Sequence, residues 1–295
     1  MDNTQPLVSI ITITLGRPDL IHRCIESIQR QTYSNYEHII VDASSGDETE
    51  KAVMKYSDSH IKYLRSPKGP QVQTRIGFDH SSGAFITMLD DDDEYEPTKL
   101  EKQLKLIETL PEAYGLVYCW MTYYDNTTKE QLRIHKTELR GFVGDLAVER
   151  PLISGTPTMF YRRGVFEEFG GTFDDSHGVV MSDWELLCRI TQKYKVDFVP
   201  ESLVRVYINH GHEQLSFTKD PKRLYNQIKF HNYFLEHFAN VFQEHPKRQW
   251  YHLSVLSRNS FLLKNYSAAW GYYRRLIKIK RDIRSLMIPI TSLFA

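Results

Sequence analysis

The sequence predicts an α/β protein that begins with a parallel sheet and ends in helices, and three observations support this. Apolar runs of strand length alternate with amphipathic helical segments near the N-terminus, which is the pattern of βαβ units. Acidic residues directly follow two of these runs, where the chain leaves a buried strand. After Pro221 the apolar spacing is helical to the C-terminus.

The composition is that of an ordinary globular protein and argues against a nucleic-acid partner. The 295 residues are 41% apolar and 25% charged, with a formal net charge of zero. A chain without excess positive charge lacks the field that nucleic-acid binders use. The cysteines are few and far apart, which favours buried thiols in a reducing, cytoplasmic compartment. The start of the chain lacks a signal peptide's basic region, and the apolar runs are too short to span a bilayer.

The N-terminal part supplies the predicted sheet. We expect strands over 7–13, 36–42, 61–66 and 84–89, each separated from the next by a helix. In parallel sheets of this kind, ligands bind at the carboxyl ends of the strands. Thr14, Asp42 and the run from Asp90 to Asp93 all follow strands and therefore belong to that edge.

The middle of the chain mixes helices and extended segments. The predicted elements are a helix over 99–110, extended segments over 115–125 and 131–136, a strand and short helix over 156–171, an amphipathic helix over 181–194, and two short strands with a His-rich tail over 195–216. We therefore predict one domain over 1–219 and a helical extension over 220–295.

The run Asp90, Asp91, Asp92 and Asp93 points to a divalent cation. Mg²⁺ or Mn²⁺ in a nucleotide site is usually held by one or two carboxylates plus phosphates and waters. A bound cation also offsets the repulsion between adjacent carboxylates. The alternative is an acidic, solvated turn before the helix that starts near Lys99. The run alone does not decide between these readings.

Longer motifs carry a resemblance to a known family. The segment "PLVSIITITLGRPDLIHRCIESIQRQTYSNYEHIIVDASSGD" has a Val-Ser-Ile strand, "TLGR" in place of Thr-Tyr-Asn-Arg, an intact "QTY", and "VDASSGD" in place of Val-Asp-Asp-Gly-Ser. The stretch "SSGAFITMLDDDDEYEP" matches a Gly-x-x-Ile-x-x-Leu-Asp-x-Asp-Asp segment, and "SDWELLCRI" looks like a Glu-Asp-Trp-Asp helix. In this order, these blocks resemble glycosyltransferase family 2.

The resemblance implies the A-type glycosyltransferase fold, in which a Rossmann-like nucleotide-binding half joins an acceptor half. It therefore implies a catalytic domain over 1–219, with the nucleotide-sugar-binding half over 1–97 and the acceptor half over 98–219. It also implies a single-displacement transfer that inverts the sugar carbon. Asp42 matches the residue that hydrogen-bonds the donor base, and Thr14 lies under the nucleoside. Asp90 and Asp92 match the Asp-x-Asp acids. Asp91, between them, is placed with the donor site, and Asp92 is the expected direct metal ligand.

The resemblance also has departures that bear on the donor. Leu15 and Gly16 replace Tyr and Asn, and Ala43 replaces the second acid of the base-binding pair. These changes keep a nucleotide site but leave the base open between UDP and dTDP.

Asp183 matches the family's general base. Transfer requires deprotonation of the acceptor hydroxyl as it attacks, and a carboxylate within hydrogen-bond reach can do this. Asp183 lies at the start of a predicted helix, where the dipole favours the carboxylate form. The alternative is that Asp183 only caps this helix, with Ser182. Glu185, nearly one turn away, is the second candidate base.

Three further residues have weaker signals. Arg75, in a glycine-bounded loop and helix, is predicted to bind the donor diphosphate or sugar, and a solvated helix arginine is the alternative. His210 and His212 form a His-x-His pattern. We assign His210 to the metal shell, with a phosphate contact or two exposed loop histidines as alternatives.

The C-terminal tail has a basic and aromatic pattern. From Trp270 onward it contains the basic residues Arg274, Arg275, Lys278, Lys280, Arg281 and Arg284, and Asp282 is its one acid. Apolar residues interleave with them, as in helices that bind anionic membrane. The alternative is that the apolar face packs on the protein.

These observations predict an inverting, metal-dependent glycosyltransferase. It would move a sugar from a nucleotide-sugar donor, for which we expect a UDP-sugar, to a glycan or lipid-linked acceptor in bacterial surface polysaccharide synthesis, with peripheral contact to the inner membrane face. A sugar nucleotidylyltransferase is a rival, but its Gly-rich loop with Lys is missing after the first strand. A non-catalytic metal- or nucleotide-binding module is the other, and no calcium-hand spacing supports it.

Overall fold

A computed structural model of the chain describes residues 5–153, 155–170, 182–212 and 220–279. The chain divides into two compact units. The first unit comprises residues up to Val143 together with 153–173 and 189–212, and the second comprises 144–152, 174–188 and 213–295. The predicted division at residue 219 does not coincide with these units, because two earlier segments group with the C-terminal helices.

The described strands of the first unit form one mixed, nine-stranded sheet. In chain order they are β1 (Val8–Thr14), β2 (Tyr36–Asp42), β3 (Ile61–Arg65), β4 (Phe85–Met88), β5 (Glu94–Tyr95), β6 (Tyr114–Asp125), β7 (Gln131–His135), β8 (Phe160–Arg162) and β9 (Lys195–Ile208). Their order across the sheet is β3-β2-β1-β4-β8-β6-β9-β5, and β7 pairs with β6.

Helices connect these strands. In chain order they are α1 (Ile21–Gln29), α2 (Glu48–Val53), α3 (Pro70–Asp79), α4 (Lys99–Thr109), α5 (Gly144–Glu149), α6 (Arg163–Glu168) and α7 (Ser182–Lys193). Helix α1 shows why the sequence folds this way, because its apolar positions recur at helical spacing and are buried. Its buried residues Ile21, Cys24, Ile25 and Ile28 join the main apolar cluster of the first unit.

The predicted parallel sheet is confirmed in its N-terminal part. Strands β1, β2, β3 and β4 pair in parallel, and β1 and β2 are almost completely buried, as continuous apolar runs require. The sheet continues through β8 and β6, which pair antiparallel to β4 and to each other. Both were predicted as extended segments, but the sequence did not predict how they pair. Helix α5 and strand β5 were also not predicted.

The two short strands predicted over the region from 195 are in fact one strand. Strand β9 runs unbroken from Lys195 to Ile208 and pairs in parallel with β6. The pairing shifts register around Cys119 and Trp120. Such irregularities let a strand bend without ending, so Pro200 interrupts the apolar pattern but does not end the strand.

The second unit is helical in its described part. Its C-terminal helices are α8 (Pro221–His237), α9 (Ala239–Glu244), α10 (Trp250–Leu262) and α11 (Tyr266–Ile279), with a 3₁₀ turn at Pro246–Gln249. The start of α7 belongs to this unit through Trp184, whose ring is buried. The Trp184 ring lies 4.6 Å from that of Phe234 and stacks on His252, and its Nε1 donates to the Ala147 carbonyl. This aromatic cluster joins α5 and α7 to the C-terminal helices.

Helix α11 has one packed face and one exposed face. Ala269 and Leu276 are buried, and Leu276 packs with Leu253 and Leu256 of α10. Tyr266 and Trp270 are exposed. No helix within the described ranges is both long enough and apolar enough to cross a membrane. The predicted tail residues from Lys280 onward lie outside the described residues.

A lysine is buried in the core of the first unit. Lys99, at the start of α4, has no exposed surface. Its Nζ donates to Oγ1 of Thr87 at 3.1 Å and lies 4.0 Å from the ring centroid of Tyr95. Burial lowers the pKa of Lys99 to about 7 from its ordinary value of 10.5, because a desolvated ammonium is less stable than the neutral amine.

We expect Lys99→Met to stabilise the protein most at low pH. The folded-state pKa of Lys99 lies below its unfolded value, so below pH 7 folding must desolvate a charged amine. As the pH rises from 7 towards 10.5 this penalty disappears. The gain in unfolding free energy of the variant is at most about 5 kcal/mol below pH 7 and shrinks with rising pH.

Chemical denaturation at pH 6, 8 and 9.5 measures this difference. Lys105→Met, on the exposed side of the same helix, is the matched control and should show no such trend. A Lys99→Met effect that stays constant across the pH range would contradict the buried, neutral amine.

Candidate active site

The carboxyl ends of the parallel strands bring the predicted donor residues together. Thr14 and Asp42 are direct partners in the pairing of β1 with β2, and Asp42 is also the partner of Arg65 on β3. On the other side of β1, the amide of Leu89 donates to the carbonyl of Ile11. The acidic run therefore leaves the sheet beside the end of β1.

Asp42 is fully buried and accepts hydrogen bonds on both oxygens. Its Oδ1 accepts from the amide of Ser44 at 2.8 Å and from the Ser44 hydroxyl. Its Oδ2 accepts from the Tyr63 hydroxyl at 2.6 Å and from Nη1 of Arg65 at 3.0 Å. The carboxylate is thus held in one orientation at the sheet edge, beside a half-exposed arginine.

Gly16 shapes the loop that follows β1. Its φ is +64°, a left-handed conformation that glycine adopts without strain and that Asn tolerates better than most other residues. Its amide donates to Oγ of Ser44 at 2.6 Å, which links the two loops. Glycine in place of the family's Asn therefore suits the same backbone shape.

The acidic run forms a tight turn in which one acid points inward. The amide of Asp93 donates to the carbonyl of Asp90 at 3.2 Å, which closes the turn. Asp91 is fully buried, and its Oδ2 accepts from the Thr14 hydroxyl at 2.6 Å. Burial raises the pKa of Asp91 to about 7, and the neighbouring Arg17 opposes that rise. In this conformation Asp91 and the Thr14 side chain support the turn from behind and do not present atoms to a donor.

Three acids of the turn fit a divalent cation. Among the described residues, Asp90, Asp92 and Asp93 offer ligand atoms that all lie within 4.8 Å of one another. Carboxylate oxygens are the ligands that Mg²⁺ and Mn²⁺ prefer. The residues present therefore fit the predicted metal, with Asp90 and Asp93 beside the predicted ligand Asp92. Burial raises the pKa of Asp93 well above its usual range, because its negative charge is poorly solvated there. A bound cation would offset that unfavourable charge.

His210 is near the turn but contacts it through a carboxylate. Its ring is buried, and its Nε2 lies 2.9 Å from Oδ2 of Asp92. Its Nδ1 accepts from the amide of His212, so the hydrogen bonds place the ring proton on Nε2, which donates to Asp92. In this arrangement His210 orients a candidate ligand and is not itself in the metal set, in contrast to the sequence assignment. His212 instead contacts Asp19, with Nε2 3.0 Å from Oδ2.

The turn is fixed at both ends. The Tyr95 hydroxyl donates to the carbonyl of Met88 at 2.6 Å, so residues on either side of the acids are bonded together. Thr87 Oγ1 lies 2.9 Å from the same hydroxyl and accepts from Lys99. From the other direction, the amide of Tyr207 on β9 donates to Oδ1 of Asp93 at 3.1 Å. The acids are therefore held by a rigid frame.

Arg75 is placed differently from its prediction. Its Nε pairs with Asp79 one helical turn away, and its Nη1 donates to the Gly170 carbonyl at 2.8 Å. These contacts lie on an exposed stretch of α3. They match the alternative of a surface helix arginine.

Asp183 and Glu185 belong to the second unit and differ in burial. Asp183 is partly exposed, and its Oδ1 accepts from the amide of Trp184 at 2.8 Å. Glu185 is 2% exposed, and the Tyr233 hydroxyl lies 3.5 Å from its Oε1. Only Asp183 of the two presents a carboxylate that solvent reaches, which favours it as the candidate base. Trp184 between them anchors the helix in its aromatic cluster.

Several polar residues of this edge were not singled out from the sequence. Arg17 contacts two acids of the turn, with Nη2 2.9 Å from Asp91 and Nη1 3.0 Å from Asp92. Its signal was available, because "TLGR" follows β1 at the same edge as Thr14. Tyr63 and Arg65 end strand β3, and strand ends at this edge were already predicted to carry ligand contacts.

Three proteins named as glycosyltransferases are similar to this chain in sequence. TuaG of Bacillus subtilis, named as a teichuronic acid biosynthesis glycosyltransferase, is 30% identical over 47% of this chain. A β-1,3-glucosyltransferase of Campylobacter jejuni, named for a GalNAc(5)-diNAcBac-PP-undecaprenol substrate, is 34% identical over 43% of it. These matches span 56% and 42% of the relatives' own length. WcaA of Escherichia coli, named for colanic acid biosynthesis, is 24% identical over 95% of this chain and 96% of its own.

Solved structures show the same fold. Staphylococcus aureus TarS 1–349 in complex with UDP has a TM-score of 0.60 at 14% identity, covering 97% of this chain and 91% of that one. The mannosyltransferase PcManGT of Pyrobaculum calidifontis, in complex with GDP-Man and Mn²⁺, has a TM-score of 0.59 at 16% identity, covering 99% and 81%. These likenesses confirm the predicted A-type glycosyltransferase fold.

The family itself follows from a direct match over more than half of the sequence. Residues 9–170 match the model of "Glycosyl transferase family 2". This range contains the ends of β1 to β4 and the whole acidic turn. The chain belongs to glycosyltransferase family 2.

Proposed function

We propose that this protein is an inverting glycosyltransferase that moves a sugar from a nucleotide-sugar donor to a hydroxyl of its acceptor. One observation carries the proposal: Asp42 and the acidic turn stand at one edge of a parallel sheet. Asp42 ends β2, and Asp90 and Asp92 follow β4. A base-binding carboxylate and a cation-binding turn at the same edge match the two ends of a nucleoside diphosphate.

The donor is a UDP-sugar in this proposal. Asp42 accepts the base N–H in place of one of its present donors, and the remaining contacts with Ser44, Tyr63 and Arg65 keep its carboxylate oriented for that bond. The solved complex of TarS with UDP supports this choice. PcManGT, with the same fold, was solved with GDP-Man, so the base requires a direct test.

Asp90, Asp92 and Asp93 would hold Mn²⁺ or Mg²⁺. When bound, such a cation neutralises charge on the leaving diphosphate. His210 donates to Asp92 and fixes the orientation of that carboxylate, a role that outer-shell histidines and carboxylates commonly share. The bond between Thr14 and Asp91 and the bond from the Tyr95 hydroxyl to the Met88 carbonyl keep the turn in place.

Asp183 would take the proton from the acceptor hydroxyl. A direct attack by that oxygen on the sugar carbon inverts its configuration, and it requires one base and no covalent intermediate. The acceptor is a glycan or a lipid-linked glycan of the bacterial surface. The names of TuaG, WcaA and the Campylobacter glucosyltransferase support this class.

A panel of nucleotide sugars tests the function. The protein is incubated with Mn²⁺ and UDP-, dTDP- or GDP-sugars, and release of the free nucleoside diphosphate is measured by chromatography. We expect slow hydrolysis and thermal protection with one base, UDP. If no nucleotide sugar is bound or hydrolysed, but a nucleoside triphosphate and a sugar 1-phosphate yield pyrophosphate, the protein is a nucleotidylyltransferase instead.

We further propose that helix α11 contacts an anionic membrane. Tyr266, Trp270, Arg274 and Lys278 recur every four residues on its exposed face, and the two aromatic side chains are 52% and 44% exposed. Aromatic and basic residues on one helix face suit the interface of anionic lipid. The opposite face packs on α10 through Leu276. Packing on the protein and contact with a membrane, the two alternatives from the sequence, can therefore involve different faces of this helix.

Charge removal tests this contact without disturbing the packed face. Replacing Arg274, Arg275 and Lys278 by Gln should release the protein from anionic vesicles, because each basic residue near the surface contributes about 1 kcal/mol. Sedimentation is measured at low and high salt, and salt should weaken binding of the native protein. Replacing the exposed Lys55, Lys105 and Lys222 changes net charge equally and should leave binding intact. Equal binding of both triple variants would sink the proposal.

A further inference from the structure

The acidic turn is paired with a cation from its own chain. Arg17 bridges two neighbouring acids, with Nη2 on Asp91 and Nη1 on Asp92. The first acid is fully buried behind the turn, and the second belongs to the set that fits a metal. One guanidinium therefore links a supporting carboxylate to a ligand carboxylate.

The two contacts of Arg17 differ in how firmly they are held. Asp91 is buried and also bonded to Thr14, so its position is fixed. Asp92 is held by His210, but its side chain is 15% exposed, so solvent reaches this second contact. The carbonyl of Arg17 accepts from the amides of Leu20 and Ile21 at the start of α1, which fixes its backbone. The Arg17 side chain itself is 24% exposed. Of the two contacts of Arg17, the one with Asp92 is therefore the one that can open.

Arg17 and a divalent cation would compete for the carboxylate of Asp92. A metal bound through Asp92 would place two positive charges close to the guanidinium, and like charges at such distances repel strongly where water is scarce. The Nη1 bond also occupies Oδ2 of Asp92, which His210 already contacts. Oδ2 is therefore already used twice while Arg17 is bound, and a metal on Oδ1 of the same carboxylate would still face the charge of the guanidinium.

We propose that Arg17 is a displaceable counter-ion of the acidic turn, which releases Asp92 when a divalent cation binds and stays attached to Asp91. The inference rests on the metal role proposed above for Asp92. It makes Arg17 a positioning residue. Its charge keeps the adjacent carboxylates together before the cation arrives, and it lowers the affinity of the turn for that cation.

The proposal predicts effects of opposite sign on stability and metal affinity. Arg17→Met removes the charge and should raise the affinity for Mn²⁺ alone on the order of 10-fold. The same variant should melt about 3 °C lower or more in EDTA, because the acids then repel one another. In saturating Mn²⁺ the melting temperature of the variant should equal that of the native protein in the same Mn²⁺ concentration. A residue that builds the metal site would show the reverse change in affinity.

The experiment measures Mn²⁺ binding by water-proton relaxation and melting by calorimetry on the full chain. Arg17→Lys keeps the charge and should retain nearly native Mn²⁺ affinity. Arg65→Met, at the same sheet edge but paired with Asp42, is the matched control and should leave Mn²⁺ affinity unchanged. Arg17→Gln gives a second neutral variant if Arg17→Met does not fold.

Unchanged or weaker Mn²⁺ binding in both neutral variants would overturn the proposal. Such a result would leave the glycosyltransferase assignment untouched if the native protein still hydrolyses a nucleotide sugar with Mn²⁺. If neither native nor variant protein binds Mn²⁺ but the donor is still hydrolysed, both the counter-ion role and metal dependence are wrong. Failure of donor binding as well would refute the proposed function itself.

Discussion

Asp183→Asn should lower turnover on the order of 100-fold or more, because general base catalysis typically contributes 10²–10⁴. The amide keeps the size of the side chain and can still accept the bond from the Trp184 amide, but it cannot take a proton. The proposed donor residues all belong to the other compact unit. The dissociation constant for the nucleotide should therefore hardly change.

Steady-state kinetics and nucleotide calorimetry separate these effects. Glu185→Gln is the matched control on the same helix, since Glu185 is buried and should not reach an acceptor. We expect it to alter stability more than turnover. A nearly active Asp183→Asn protein would mean that Asp183 only caps its helix, and a large loss in Glu185→Gln would make that residue the base.

Asp92→Ala should abolish metal-dependent UDP binding while the fold remains intact. Loss of an outer-shell partner alone typically costs 10–100-fold in metal affinity, and Asp92 is proposed as a direct ligand. Arg17 keeps its contact with Asp91 in this variant, so the turn retains a cation. Calorimetry with UDP and Mn²⁺ measures the loss, and circular dichroism reports the fold.

Asp79→Ala is the matched control for this experiment. Asp79 is an exposed aspartate of the first unit that pairs with Arg75, so its removal should leave UDP affinity unchanged. A native affinity for UDP with Mn²⁺ in Asp92→Ala would refute the metal role. A loss that is equal with and without Mn²⁺ would place Asp92 in direct contact with the nucleotide.

The edge of the sheet was predictable because it depends on local patterns. Continuous apolar runs predict buried parallel strands, and parallel strands end together, so Thr14, Asp42 and the acidic run had to meet. The burial of Asp91 could not be inferred in this way. It depends on the turn between Asp90 and Asp93 and on Thr14, whose hydroxyl donates to Asp91 only once β1 and β4 are paired.

Long-range contacts explain the remaining differences. His210 was assigned to the metal because His-x-His is a ligand pattern, but its Nε2 contacts Asp92, which is distant in sequence. Strand β9 reads as two strands because Pro200 interrupts its apolar pattern, and the register shifts with β6 absorb that interruption. The grouping of α5 with the C-terminal helices depends on Trp184 meeting residues distant in sequence.

The bond from Tyr207 to Asp93 has a consequence for biosynthesis. These residues are separated by 114 positions along the chain, and Asp92 and His210 are similarly far apart. While the ribosome is still adding the middle of the protein, the acids have already emerged without these two partners. Contacts of such sequence separation form late, because a long loop must first close. Nucleotide binding should therefore appear only after β9 has been synthesised. The onset of binding would mark completion of the first unit and not the folding of its N-terminal strands.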